Sequence, residues 1–198
     1  PADMQLGNWA PQRPGKDICY LHDTGGILVA GSDGSMIHRQ CFPPDVASHL
    51  QNITLYQTAN GIRWLGENIR SRDSKLLCGD SNLRIEWGAL MEGDMVGVQL
   101  ADWDGDGSKE IICGSQGRNI NNRNGIDRCS LQVMKPDGTP LYWHVWEGET
   151  LCSPLAVCDV DGDGREEVLV GIGKPNGPEG RFSLPAGEHM HLYTLGAA

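Results

Sequence analysis

Two segments carry carboxylates at spacings suited to holding a metal ion: Asp102-Trp-Asp-Gly-Asp-Gly-Ser-Lys-Glu110 and Asp159-Val-Asp-Gly-Asp-Gly-Arg-Glu-Glu167. Acidic side chains this close repel one another unless a cation or a proton neutralises them. Calcium takes about six to eight oxygen ligands, and glycines between the acids permit the tight turns that wrap it. The reading assigns Asp102, Asp104 and Asp106 as side-chain ligands, the Ser108 carbonyl as a backbone ligand and Glu110 as the closing carboxylate. The equivalents in the second segment are Asp159, Asp161, Asp163, the Arg165 carbonyl and Glu167, giving two calcium ions. Magnesium suits the pattern less, because it demands a rigid octahedron and keeps its waters. An EF-hand requires a glutamate at the twelfth position and flanking helices. Counted from Asp102 and Asp159, those positions are Cys113 and Val170. Asp-Gly turns without a metal are common between short strands. Two copies with the same trailing glutamate favour the metal, in a structural role.

The elements that must position these acids are strands. The two segments extend in near identity to Gly114 and Gly171, at an offset of 57 residues (159 − 102). Apolar stretches precede them (96–100 and 155–157) and β-branched or apolar runs follow, so each loop is expected to join adjacent strands. Asp137-Gly138 lies between two further strand-like runs and reads as a hairpin turn. Asn60-Gly61 reads as a similar hairpin that also ends in an aromatic-bearing strand. Gly26-Ile-Leu-Val-Ala-Gly31 and Lys75-Leu-Leu-Cys-Gly79 echo the strand after the loop, behind Asp23 and Asp73. Helical periodicity with caps is lacking, and only 44–50 suggests a turn of helix. Strand, loop, strand and hairpin make a four-stranded meander, the unit of a propeller blade. The expected fold is all-β, a β-propeller or propeller-like arc of about four four-stranded blades, at roughly 45 to 55 residues each. The blade-like units fall near 15–50, 51–95, 96–150 and 151–198, the last one cut short or completed elsewhere.

The chain is 39% hydrophobic and 21% charged, a globular composition, and carries a net charge of −10. That charge argues against nucleic acid and anionic membranes as partners. Neither a membrane-spanning run nor a signal peptide is present, so a mature secreted form is expected. Seven cysteines without C-x-x-C pairs read as disulfides in an oxidising compartment, one of them left over. Asn52-Ile53-Thr54 is a glycosylation sequon that agrees with an extracellular address.

The loops resemble the calcium-binding repeats of the FG-GAP and VCBS class, over 100–114 and 157–171. That class occurs in integrin α-subunit propellers and in secreted propellers including rhamnogalacturonan lyases. The resemblance implies a propeller with calcium between the first two strands of a blade, held by the aspartates named above. The loops close on Glu110 and Glu167 where integrin repeats usually close on Asp, and the Phe-Gly and Gly-Ala-Pro signatures are missing. The lyase-like or generic secreted propeller is therefore the nearer comparison.

Among other residues, the six tryptophans read chiefly as core, with Trp103 the best surface candidate for stacking on a sugar. His189 and His191 read as a solvated strand face. Arg118, Arg123, Arg128, Asn119, Asn121, Asn122 and Asn124 read as a polar insertion. No nucleophile motif, phosphate loop or carboxylate pair outside the acidic loops points to catalysis. The expected function is a secreted, calcium-binding structural or adhesive module. Its partners are neighbouring copies joined through open strand edges, up to a filament, or carbohydrate. The alternative is a polysaccharide lyase of the rhamnogalacturonan type, or a fragment of one.

Overall fold

The computed structural model describes residues 4–10, 12, 14–22, 26–44, 46–47, 50–58, 60–68, 74–91, 93–116, 128–148, 151–173 and 191–196. It divides into two compact units, Pro1–Leu90 and Met91–Ala198. All regular structure among the described residues is β-strand.

The first unit holds two four-stranded antiparallel meanders. One is β1 (Met4–Gly7), β2 (Asp17–His22), β3 (Gly26–Ala30) and β4 (Met36–Cys41); the other is β5 (Leu50–Thr58), β6 (Gly61–Asn68), β7 (Lys75–Gly79) and β8 (Ile85–Leu90). Side chains alternate across a strand, so Cys19 and Leu21 of β2, Ile27 and Val29 of β3, and Ile62 and Trp64 of β6 point into one shared core. Trp9, buried in that core, donates its indole N–H to the Ser81 carbonyl at 2.6 Å. This bond ties the segment after β1 to the β7–β8 turn.

The second unit holds a seven-stranded sheet. Its strands are β9 (Asp94–Ala101), β10 (Glu110–Gln116), β11 (Arg128–Met134), β12 (Pro140–Glu147), β13 (Leu151–Cys158), β14 (Glu167–Gly173) and β15 (His191–Leu195). Strands β9 to β12 form one four-stranded meander and β13 to β15 a three-stranded one. Among the described residues the two are paired at Gln116↔Leu151. Their core gathers Ile112, Leu131, Val133, Val168, Val170 and Ile172 with Cys129 and Cys152. The all-β, blade-like reading of the sequence is what the chain adopts.

The finer bookkeeping of strands differs from expectation. Asn60-Gly61 joins the first two strands of its meander, whereas Asp137-Gly138 joins the third and fourth. The echoes at 26–31 and 75–79 are β3 and β7, third strands, so they do not correspond to β10. Alternation of apolar residues marks a strand without saying which one it is. The true recurrence is the turn after each third strand. In Gly31–Ser35, Asp80–Arg84 and Lys135–Thr139 the first residue's N–H bonds the fifth residue's carbonyl, and the fourth residue's N–H bonds the first residue's carbonyl. The fourth residue has a left-handed φ in each, 81° at Gly34, 62° at Leu83 and 85° at Gly138. In the segment expected to form a helical turn, the Val46 and Ala47 N–H groups both bond the Pro43 carbonyl.

Glycine is demanded by close approach at Gly79, which lies opposite Trp64 in the β6–β7 register. A Cβ there would sit inside the indole ring, and Trp64 is fully buried. Overpacking of this kind costs about 1–3 kcal/mol. Gly79→Ala is therefore expected to destabilise the first unit by that amount, read as a lowered urea midpoint by tryptophan fluorescence; an unchanged midpoint would show that the indole relocates freely.

Candidate functional site

The acidic segments are the β9–β10 and β13–β14 connections, each eight residues long, 102–109 and 159–166. Both are closed by matching strand pairs, Ala101↔Glu110 and Cys158↔Glu167. Gly105, Gly107, Gly162 and Gly164 have φ of 75°, 87°, 80° and 90°. No atom crowds a Cβ at these four positions, so it is backbone conformation that calls for glycine.

The loops fold by turning their N–H groups onto their own carboxylates. In the first, Asp102 accepts from Gly107 N, Asp104 from Asp106 N, and Asp106 from Ser108 N. In the second, Asp159 accepts from Gly162 N and Gly164 N, Asp161 from Asp163 N, and Asp163 from Arg165 N. Glu110 accepts from Trp103 N at 2.9 Å, and Glu167 from Val160 N at 2.7 Å. These bonds satisfy backbone donors that a tight loop would otherwise leave to water.

Three of the five expected ligand residues in each loop converge: Asp102, Asp104 and Glu110 in one, Asp159, Asp161 and Glu167 in the other. In each trio one oxygen per residue lies within 4.8 Å of the others. Asp106 and Asp163 fall outside these groups, turned back onto Ser108 and Arg165. A set of three carboxylate oxygens is hard-donor chemistry and fits a calcium-like cation better than a soft metal.

Glu110 is 1% exposed. Burial pushes its pKa above the ordinary glutamate value of 4.5, Trp103 N–H and Asp104 N–H pull it back, and the charges of Asp104 and Asp106 push it up again. Its contribution to stability is therefore full below 4.5 and is lost as pH rises through the higher folded-state value.

The sequence reading missed Glu166. Its carboxylate accepts Asp102 N–H at 2.7 Å and pairs with Lys109 at 3.0 Å, bridging the two loops within the second unit. Asp102 N–H, then Lys109, hold its pKa below the ordinary value, so its contribution is present above 4.5 and lost as pH falls. The signal was available in the repeat. Lys109 and Glu166 occupy the same place in the two copies (109 + 57 = 166) with opposite charge.

Other expectations change with the geometry. Trp103 packs against the core with its ring 5.9 Å from that of Tyr142, so it is no surface platform; Trp143, 57% exposed, is the open tryptophan. Asn52 sits at a β5 irregularity with φ of 53°, its amide donating to the buried Glu67 at 2.8 Å. His189, Arg118, Arg123, Asn119, Asn121, Asn122, Asn124, Asp23 and Asp73 lie outside the described residues, as does the His191 side chain. Arg128 begins β11.

No disulfide joins any of the seven cysteines, against the expectation. Cys19, Cys78, Cys113, Cys129 and Cys152 are buried, Cys19, Cys129 and Cys152 within the cores described above, and a buried thiol packs as a small apolar group. Cys152 hydrogen-bonds with Cys129, which with burial drives its pKa upward.

Comparison with the models of known protein families finds no match. Over 98 residues the chain is 41% identical to the BBSome complex member BBS2 of Homo sapiens, a stretch that is 48% of this chain and 13% of BBS2. The chain thus spans a small part of that relative. The crystal structure of BBS1N in complex with ARL6DN, soaked with lead, superposes with a TM-score of 0.53 at 13% identity, covering 85% of this chain and 48% of that one. The likeness in fold supports a propeller. The relatives correct the functional expectation. BBS2 is a member of the BBSome complex, not a secreted calcium-binding adhesive module or a polysaccharide lyase, so both of those readings fall, and the extracellular address with them.

The opposite signs of Glu110 and Glu166 give a test. In chelator, Glu110→Gln should remove the stability loss on the alkaline side of 4.5, and Glu166→Gln the loss on the acid side. Melting temperature against pH distinguishes them; curves parallel to wild type would contradict the assignment.

Proposed function

We propose that this chain is a propeller segment of a subunit that holds protein partners inside a multi-subunit assembly of the BBSome kind. The identity with BBS2 carries the reading. The fold likeness to BBS1N, itself seen bound to ARL6DN, supports it. A propeller needs no catalytic centre for such a role, because it presents rigid strand edges and loops to its partners. Partners are accordingly other proteins; further copies and carbohydrate draw no support from the relatives. The test is a chimera of human BBS2 in which the 98 matched residues are replaced by those of this chain. It should co-purify with the other BBSome subunits, and a chimera that migrates alone while remaining folded overturns the reading.

Within this role the FG-GAP/VCBS-like loops are braces, and a calcium ion at each belongs to the proposal. The supporting observation is the convergence of three carboxylates in both loops. A ligand bound only to the folded state stabilises it, by about 2.7 kcal/mol at a hundred times its dissociation constant. Calcium should raise the melting temperature of the chelated chain, and Asp104→Asn with Asp161→Asn should abolish the rise; an identical melt with and without calcium removes the ions from the proposal.

A further inference from the structure

Each four-stranded meander ends in a strand paired on one side only among the described residues, β4 on β3, β8 on β7 and β12 on β11. Such edges expose backbone donors and acceptors that template pairing with another strand, and proteins blunt them with charge. β4 carries Arg39 and β8 carries Glu86, the latter in a forked pair with Arg63. β12 differs. From Leu141 to Trp146 it reads Leu-Tyr-Trp-His-Val-Trp, six residues without a formally charged side chain at neutral pH. Leu141 is 37% and Trp143 57% exposed on one face.

The other face stiffens the strand. Tyr142 and His144 stack at 6.4 Å and 8°, His144 meets Trp146 edge-on at 4.4 Å, and Trp103 continues the row at 5.9 Å from Tyr142. Trp103 belongs to the first acidic loop, so one end of the row adjoins Asp102 and Asp104, and the chain as a whole is at −10. An edge uncharged over six residues, followed by Glu147 and beside a loop that stays at −1 even with one calcium ion bound (−4 from Asp102, Asp104, Asp106 and Glu110, +1 from Lys109, +2 from the ion), suits one kind of occupant: an extended segment with alternating apolar residues and positive charge.

We infer that β12 is a strand-addition site for a basic, extended segment of a partner protein, with Leu141 and Trp143 covered by its apolar side chains and the acidic loop meeting its cations. This rests on the assembly reading above and assigns that reading a surface. Main-chain pairing supplies the affinity and the alternate side chains the selection.

The probe is a synthetic peptide of about twelve residues alternating lysine and valine, long enough to pair with all of β12, used with the whole chain. It should slow amide exchange over 141–147 and not over 36–41 or 85–90, and should weaken with salt. A glutamate–valine peptide should bind about tenfold or more weakly, as like charges oppose it. Trp143→Lys and, independently, Leu141→Lys should each weaken the lysine–valine peptide about tenfold with the melt unchanged; if one fails to fold, the other decides. Absence of protection, equal binding of both peptides, or protection that grows with protein concentration alone, which marks a second copy as occupant, overturns the inference. If the lysine–valine peptide gives no protection while the BBS2 chimera still enters its complex, strand addition fails and the assembly reading stands.

Discussion

A carboxylate buried at the start of a strand must find donors, and in the second unit this need organises the rest. Glu110 opens β10 and Glu167 opens β14, 1% and 9% exposed. Each draws in a backbone N–H from the beginning of its own loop. The loop is thereby pinned at both ends, its glycines turn left-handed, and the aspartates between them close on one another's N–H groups. Removing an acceptor from such a network leaves buried donors unsatisfied, the costly direction of change.

The two loops are not independent. Glu166 reaches across from the second to cap Asp102 N–H of the first and to meet Lys109. The exposed ion pair itself is worth little, about 0–1 kcal/mol. The bond to Asp102 N–H matters more, because it fixes the residue that begins the carboxylate cluster. Gly114 serves the same junction from the strand side. A Cβ there would collide with the Cys152 carbonyl of β13, so the glycine that ends the repeated motif marks where two meanders touch. The geometry that brings the loops together thus depends on one carboxylate and one missing side chain.

The first unit solves a comparable problem by burying an aromatic. Trp64 lies over Gly79, and Phe42 tilts against it at 5.7 Å. Nearby, Tyr56 and Cys78 share a hydrogen bond, and burial pushes the Cys78 thiol up to about 11, so it acts as packing and not as a nucleophile.

The sequence alone determined the all-β class, the two strand–loop–strand repeats, the hairpins at Asn60-Gly61 and Asp137-Gly138, and the carboxylates that converge. All of these are local: alternation, glycines at left-handed turns and acids at fixed spacing act within about ten residues. It misjudged the cysteines, because inward-facing thiols and disulfide halves look alike in a list of residues. It likewise misplaced Trp103, whose burial depends on Tyr142 arriving from β12. Which strand is third and which second, the Glu166 bridge, the contact at Gly114 and the uncharged edge of β12 were settled only in three dimensions. Each is a meeting of residues far apart in the chain, and a spacing rule carries no information about what the neighbouring strand will bring.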